Sequence, residues 1–131
     1  MAANGGTDKK MNEVVYADGG ALTDPVSITA GELHSCALLG STQVACWGDN
    51  ANHQLGRGES VASSGGTSTS AQVVRLADGG AFLGVTNVVA GGNHTCATTG
   101  DGTLWCWGDN AYGQTAPGDQ TDRSSPTPVS Y

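Results

Sequence analysis

One segment of this 131-residue sequence occurs twice, 60 residues apart. The first copy is HSCALLGSTQVACWGDNA at residues 34–51, and the second is HTCATTGDGTLWCWGDNA at residues 94–111. Shorter matches continue outward from this segment, including Ala17–Ala21 with Ala77–Ala81 and Gln54 with Gln114. Self-similarity at a fixed period indicates repeated copies of one structural unit. We place the two units at residues 14–73 and 74–131.

Each unit contains short β-rich segments separated by glycine-rich turns. In the first unit they are Val14–Val15, Val26–Ala30, His34–Leu38 and Gln43–Trp47, and in the second unit Val73–Val74, Val85–Ala90, His94–Thr98 and Thr103–Trp107. Four short strands per period are typical of a β-propeller blade. We therefore predict an all-β fold of two four-stranded antiparallel propeller blades. Such a pair is an incomplete ring, either a fragment or a part that assembles.

Three segments fall outside these strands. Residues 1–13 have no pattern and are interpreted as a disordered tail or a remnant foreign to the natural protein. Residues 57–72 are rich in Ser, Thr and Gly, which predicts a flexible polar insertion. Residues 125–129 resemble the start of a further blade. Because repeat units bury their faces only against neighbours, we expect further blades, either in cis or in trans as a homo-oligomer.

The composition restricts the possible classes of protein. Charged residues are 13% of the chain, about half the usual ~25%, and there are 21 glycines, so the core must be thin and rich in turns. The net charge is −7 with only five Lys and Arg residues, which argues against a nucleic-acid partner. No apolar run approaches the ~18–20 residues of a membrane span, and Met1–Lys10 shows no signal peptide.

The repeated motifs resemble a known family. Residues 28–50 and, more closely, residues 88–114 are similar to the repeat of regulator-of-chromosome-condensation proteins, and the form with paired cysteines is similar to that of bacterial surface and secreted proteins. The resemblance implies a propeller, usually of about seven blades. The sequence departs from the family's Gly-Gln-Leu-Gly at 53–56, which read His-Gln-Leu-Gly, and at 113–116, which read Gly-Gln-Thr-Ala. These loops are therefore expected to be altered.

The four cysteines form two equally spaced pairs: Cys36 with Cys46, and Cys96 with Cys106. Directly opposed residues of an antiparallel hairpin have a constant sum of residue numbers. Turns centred on Ser41 and Asp101 therefore place each pair face to face, at a Cα separation of ~4.5–5.5 Å that suits a disulfide. Each bridge should stabilise its unit by ~2–3 kcal/mol and indicates an oxidising compartment.

Two other interpretations of the cysteines stay open. The thiols could be reduced and structural, or His34, Cys36 and Cys46 on one face of the hairpin could bind zinc. A spacing of nine residues between the cysteines is not a usual zinc spacing, so we predict disulfides and no metal site.

A structural role is predicted for residues that repeat around the hairpins. The histidines are expected to be buried, with ring nitrogens bonded to nearby backbone groups. The tryptophans, Trp105 among them, should fill the gap between neighbouring sheets, and the Gly-Asp-Asn segments should form turns. Ligand stacking on Trp and calcium binding by the acids are weaker alternatives. The residues concerned are His34, His94, Trp47, Trp107, Gly48, Gly108, Asn50 and Asn110.

No enzyme motif accompanies these features. We expect a non-enzymatic, extracytoplasmic scaffold without a cofactor, which binds a protein partner through loops held on rigid strands. The acidic balance favours a basic partner. Candidate contact residues at the loop tips are Asp49, Asn52, His53, Asp109 and Tyr112. The alternatives are nucleotide exchange on a small GTPase with chromatin attachment, a secreted enzyme inhibitor, and a structural segment of a large surface protein.

Overall fold

The computed structural model describes residues 14–16, 20–22, 24–57, 67–115 and 120–129. The tail predicted over residues 1–13 lies outside these ranges. The strands of the described part are β1 Pro25–Ala30, β2 His34–Leu39, β3 Val44–Asp49, β4 Thr67–Val73, β5 Val85–Ala90, β6 His94–Thr99, β7 Leu104–Gly108 and β8 Arg123–Pro128. They form two four-stranded sheets, ordered β1-β2-β3-β4 and β5-β6-β7-β8, with every neighbouring pair antiparallel. The predicted all-β fold is confirmed.

The two central hairpins have the register that the sequence predicts. In β2–β3, Cys36 lies opposite Cys46, and in β6–β7, Cys96 lies opposite Cys106. The turns reach this register through left-handed backbone at equivalent positions, Thr42 with φ 70° and Gly102 with φ 88°.

The fourth strand of each sheet differs from the sequence interpretation. Residues 67–72, which we expected in a flexible insertion, belong to β4 and pair with β3. Residues 125–128, which we expected to begin a further blade, belong to β8 and pair with β7. The physical reason is that the free edges of β3 and β7 carry backbone N–H and C=O groups that need partners. A polar segment supplies these as well as an apolar one does.

The expected opening strands also differ. Val73 is the last residue of β4, and Val74 follows the strand with its N–H bonded to the Val44 oxygen at 2.8 Å. Val15 and Tyr16 form only isolated bridges, to Ala21 and Ala71. Each sheet is therefore completed by the segment that ends its own unit.

The two faces of the first sheet have different environments, because side chains alternate along a strand. One face, which we name the disulfide face, carries Cys36, Leu38, Val44 and Cys46; its counterpart in the second sheet carries Cys96, Thr98, Leu104 and Cys106. The opposite face, which we name the tryptophan face, carries Ala37, Ala45 and Trp47 in the first sheet and Ala97, Trp105 and Trp107 in the second.

The main core lies between the two sheets. The disulfide face of the first sheet and Leu55 share one buried cluster with Val74, Phe82, Val85, Val88, Ala97 and Trp107. A smaller cluster on the outer side joins Ala37, Leu39, Ala45 and Ala71 to Val14, Tyr16, Leu22 and Trp47. The disulfide face of one sheet is thus packed on the tryptophan face of the next. Among the described residues there is no helix with the length and hydrophobicity needed to cross a membrane.

Candidate functional site

A buried hydrogen-bond network joins the two sheets. The main-chain oxygen of Gln54 accepts from Trp107 Nε1 at 2.9 Å and from Thr95 Oγ1 at 3.0 Å. All three residues are completely buried. Because buried polar groups are costly to leave unpaired, these bonds fix the position of the second sheet against the loop that follows β3.

His34 extends this network. Its Nε2 lies 2.8 Å from Thr95 Oγ1. The Thr95 hydroxyl has one hydrogen and donates it to Gln54, so it accepts from His34, which is therefore the Nε2–H tautomer. Burial lowers the pKa of His34 and the nearby His94 lowers it further, whereas Asp49 acts in the opposite direction. His34 is thus held neutral, and it bonds a side chain of the other sheet, not the nearby backbone that we expected.

We name the contact between the two sheets the joint. Its other hydrogen bonds have backbone N–H groups as donors. Glu32 N–H donates to the Gly92 oxygen at 3.0 Å, and Val85 N–H donates to the Thr42 oxygen at 3.2 Å. Gly84 N–H donates to Thr42 Oγ1 at 2.9 Å, and Ala90 N–H donates to Thr29 Oγ1 at 3.0 Å. Two threonine hydroxyls of the first unit therefore serve as acceptors for the second.

Aromatic packing fills the joint. Phe82 meets Trp105 edge-on at a centroid separation of 5.3 Å and Trp107 at 5.9 Å. Trp107 has no exposed surface, whereas Trp47, its equivalent in the first sheet, is partly exposed. Sequence reasoning did not single out Phe82. The available signal was the repeat itself: Leu22, 60 residues earlier, is the equivalent of Phe82, so both units have a large apolar residue at this position.

A groove of about 400 Å³ lies on the tryptophan face of the first sheet. It is mostly apolar and partly open to solvent. Its lining consists of Val14, Leu22, Pro25, Val26, Ser27, Ile28, Ala37 and Trp47.

The loops after β3 and β7 are held by the same set of side-chain hydrogen bonds. In the first loop the pairs are Ala51 N–H to Asp49 Oδ1 at 3.3 Å, Asn52 N–H to Gln54 Oε1 at 2.8 Å and Leu55 N–H to Asn50 Oδ1 at 3.0 Å. In the second loop they are Ala111 N–H to Asp109 Oδ1 at 2.9 Å, Tyr112 N–H to Gln114 Oε1 at 2.8 Å and Thr115 N–H to Asn110 Oδ1 at 2.9 Å. The two loops therefore share the same hydrogen-bonded conformation.

Glycine is required where each of these loops begins. Gly48 has φ 109° and Gly108 has φ 104°. A Cβ atom would lie 2.6 Å from the Leu33 oxygen at Gly48 and 2.7 Å from the Asn93 oxygen at Gly108. The close approach lets Asp49 N–H and Asp109 N–H bond the same two oxygens, at 2.9 and 3.0 Å.

These contacts bring several loops and turns to one edge of the molecule. We name this the loop edge: loops 50–57 and 109–115 with turns 31–33 and 91–93. Of the predicted contact residues there, Tyr112 is 91% exposed, while Asn52 and His53 are partly exposed. Asp109 also lies here, and Asp49 directly precedes the first loop at the end of β3, but each uses Oδ1 to hold its own loop.

Sequence reasoning missed Leu33, which lies on the loop edge and is 63% exposed. Its repeat equivalent is Asn93. An apolar residue at the tip of a turn, where the other unit has a polar one, was the available signal. Within the described residues, no group of three or more His, Cys, Asp or Glu side chains is arranged to hold a metal ion. The four cysteines are bonded as Cys36–Cys46 and Cys96–Cys106.

The geometry defines two adjacent β-propeller blades, and the solved structures with a similar fold are propellers. Human WBSCR16 superposes with a TM-score of 0.63 at 17% identity, covering 80% of this chain and 24% of that one. Yeast RCC1 (Prp20), solved with Kap60 bound, superposes with a TM-score of 0.62 at 21% identity, covering 82% of this chain and 25% of that one.

Sequence comparison agrees with the fold. The model of the regulator of chromosome condensation (RCC1) repeat matches residues 26–54 and 85–114. The ultraviolet-B receptor UVR8 of Arabidopsis thaliana is 36% identical over 102 residues, which are 78% of this chain and 21% of the receptor. The probable E3 ubiquitin-protein ligase HERC4 of Homo sapiens is 36% identical over 101 residues, 77% of this chain and 9% of the ligase. This chain belongs to the RCC1 repeat family, and it spans a small part of these relatives.

Proposed function

We propose that the chain is a non-enzymatic module of an extracytoplasmic protein and that it binds a protein partner through its loop edge. The observation that carries this proposal is the identical bonding of the two loops. Each loop is closed by its own Asp, Asn and Gln side chains, which leaves Tyr112 projecting from a rigid base. An exposed aromatic residue on a preorganised loop is favourable for binding, because little conformational entropy is lost.

Leu33 adds to the same surface. It is 63% exposed, and its main-chain oxygen is bonded by Asp49 at 2.9 Å, so its backbone position is fixed. Leu33 and Tyr112 therefore offer two apolar side chains on a rigid edge. Glu32, also exposed, places a carboxylate next to Leu33 in the same turn.

The charge supports a basic partner. The whole chain carries a net charge of −7, which attracts basic surfaces and speeds encounter with them. The yeast propeller of similar fold has been described with Kap60 bound and for its binding to Gsp1p and histones, and histones are basic proteins. That likeness supports protein binding as a use of this fold.

The cysteines support a location outside the cytoplasm. The structure bonds all four as two disulfides, and such bonds persist in oxidising compartments. The paired-cysteine form, which resembles that of bacterial surface and secreted proteins, agrees with this location.

The test measures binding of the disulfide-bonded chain to core histones as a basic probe, at low and at high salt. We expect Tyr112→Ala with Leu33→Ser to weaken binding by about tenfold. The matched control is Ser41→Ala, an exposed residue of the turn at the opposite end of the sheet. Equal effects of the two variants, or no binding at low salt, would overturn the proposal.

A further inference from the structure

We infer that the joint is an acid-sensitive contact: protonation of His34 at Nδ1 separates the two sheets while each sheet stays folded. This device lies inside the pair of repeat units. It therefore depends neither on what the loop edge binds nor on any contact outside the two units.

One ring nitrogen of His34 is fully used by the joint. Nε2 donates to Thr95 Oγ1, 2.8 Å away, and that hydroxyl donates its own hydrogen to the Gln54 oxygen at 3.0 Å. In the neutral ring the hydrogen is thus on Nε2. A further proton can be added only at Nδ1.

The other ring nitrogen has no acceptor for such a proton. His34 is 3% exposed, and Nδ1 is buried with no hydrogen-bond partner among the described residues. The ring is packed against Gly31, where a Cβ atom would lie 2.6 Å from Nδ1 and would overlap His34 Cε1 and the Gly91 oxygen. Protonation thus places an unpaired N–H donor and a positive charge in a close-packed, buried position, which is unfavourable.

The charged groups around His34 do not remove this cost. The titratable side chains of the elements packed against it are His94 in β6, Asp49 at the end of β3, Glu32 in the preceding turn, and His53 and Arg57 in the loop after β3. His94 disfavours a positive charge on His34, whereas Asp49 favours one. Burial has the largest effect, and the balance lowers the pKa of His34.

The joint is the part of the molecule that this cost weakens first. Each disulfide lies within one sheet: Cys36–Cys46 closes the first central hairpin and Cys96–Cys106 the second. The joint itself is held by packing and hydrogen bonds alone. Separation of the sheets brings the charged imidazole into water and leaves both covalently closed hairpins intact, so it relieves the cost without unfolding either sheet.

The direction and size of the effect follow from proton linkage. The closed joint holds the pKa of His34 below 6.5, whereas in the open form the solvated ring has its ordinary value. The open form therefore takes up the proton first as the pH falls, and the stability of the joint that is fully present above pH 6.5 is lost progressively below it. Between pH 7.5 and pH 5.5, the ratio of open to closed form should rise by about tenfold.

The experiment measures hydrogen exchange of single amides in the disulfide-bonded chain, by NMR, at pH 7.5 and 5.5. The protection factor, which is the intrinsic exchange rate divided by the observed rate, removes the ordinary pH dependence of exchange. The amides of Glu32, Gly84 and Ala90 report on the joint, because they donate across it. The amides of Leu39 and Thr99 report on the sheets, because each is bonded within its own hairpin.

We expect the protection factors of the three joint amides to fall together by about tenfold from pH 7.5 to pH 5.5, and those of the two hairpin amides to change by less than about twofold. His34→Gln should abolish this pH dependence, since glutamine keeps an N–H donor but does not titrate. The matched control, His94→Gln, makes the same substitution at the equivalent position of the second unit and should retain the dependence.

A second readout uses the unaltered chain. Cys36 and Cys46 are completely buried beneath the second sheet, so a phosphine reaches their sulfur atoms only when the joint opens. Cys96–Cys106, with Cys96 partly exposed, serves as the internal reference, because the ratio of the two reduction rates removes the pH dependence of the reagent. This ratio should rise by about tenfold in favour of Cys36–Cys46 from pH 7.5 to pH 5.5.

Three results would overturn the inference. Equal losses of protection at the joint and hairpin amides would show that acid unfolds the pair as one unit. Unchanged protection of the joint amides would show that the protonated His34 finds an acceptor inside the closed joint. A pH dependence that persists in His34→Gln and disappears in His94→Gln would assign the effect to the other histidine. If His34→Gln does not fold, the amide comparison and the reduction ratio in the unaltered chain still decide. Loss of histone binding would change none of these readouts.

Discussion

The indole nitrogen of Trp107 donates a hydrogen bond to the main-chain oxygen of Gln54, 2.9 Å away, although the two residues are 53 positions apart and belong to different repeat units. Thr95 donates to the same oxygen. One loop carbonyl of the first unit therefore positions two side chains of the second, and the stacking of the sheets depends on backbone placement as much as on apolar packing.

Replacing this indole should weaken the joint. Trp107→Phe keeps an aromatic ring but removes the donor, so we expect the free energy of unfolding to fall by roughly 1–2 kcal/mol. Urea unfolding followed by circular dichroism measures the change. The matched control, Trp47→Phe, makes the same substitution on the tryptophan face of the first sheet, where the indole is partly exposed. It should lower the free energy of unfolding by less than half as much. A larger loss from Trp47→Phe would contradict the assigned joint.

The two disulfides should differ in their rates of reduction. Cys36 and Cys46 are completely buried beneath the second sheet, whereas Cys96 on the open disulfide face is partly exposed. Because exchange requires access to a sulfur atom, we expect Cys96–Cys106 to be reduced at least about tenfold faster under native conditions. Brief treatment with a phosphine, alkylation and peptide mapping measure both rates. Faster alkylation at Cys36 and Cys46 would contradict the stacking described here.

Stability should depend on pH through His34. The folded protein holds the pKa of His34 below the ordinary value of 6.5, mainly through burial. The unfolded chain therefore binds more protons as the pH falls, and the stability that is fully present above pH 6.5 is lost progressively below it. Urea midpoints at pH 7.5 and 5.5 test this. His34→Gln should lower the midpoint at pH 7.5 and reduce the pH dependence; an unchanged slope in the variant would rule out His34 as its source.

A strained loop residue should be replaceable with a gain in stability. His53 has φ 63°, and glycine occupies the equivalent position 113 with φ 77°. A side chain in left-handed backbone costs about 1–2 kcal/mol, partly offset by the greater freedom of glycine in the unfolded chain. We expect His53→Gly to stabilise by about 0.5–1 kcal/mol and Gly113→Ala to destabilise, both measured by thermal unfolding. A lower melting temperature for His53→Gly would mean that its side chain stabilises the loop by more than the strain costs.

The central hairpins could be predicted from the sequence because the position of the turn determines which residues of an antiparallel hairpin lie opposite each other. A turn centred between Cys36 and Cys46 leaves one antiparallel register, and that register also determines which residues share a face with Trp47. The fourth strands could not be predicted in this way. Residues 67–73 are mostly Ser and Thr, a composition shared by linkers, and what makes them a strand is the unpaired edge of β3.

The joint between the sheets was only partly visible in the sequence. Repetition of Gln54 at Gln114 marked the position as important, but the atom that matters most is a main-chain oxygen, whose direction no side-chain pattern encodes. Likewise, the burial of His34 was expected, whereas its partner Thr95 lies 61 residues away and could be identified only from the stacking of the sheets.

The position of Cys36–Cys46 has a consequence for biogenesis. Its sulfur atoms lie under the second sheet, out of reach of any thiol oxidase once stacking is complete. We therefore expect the bond to form on the first unit before the second unit docks. In that order, covalent closure precedes docking, and delayed oxidation is expected to delay maturation of the whole pair.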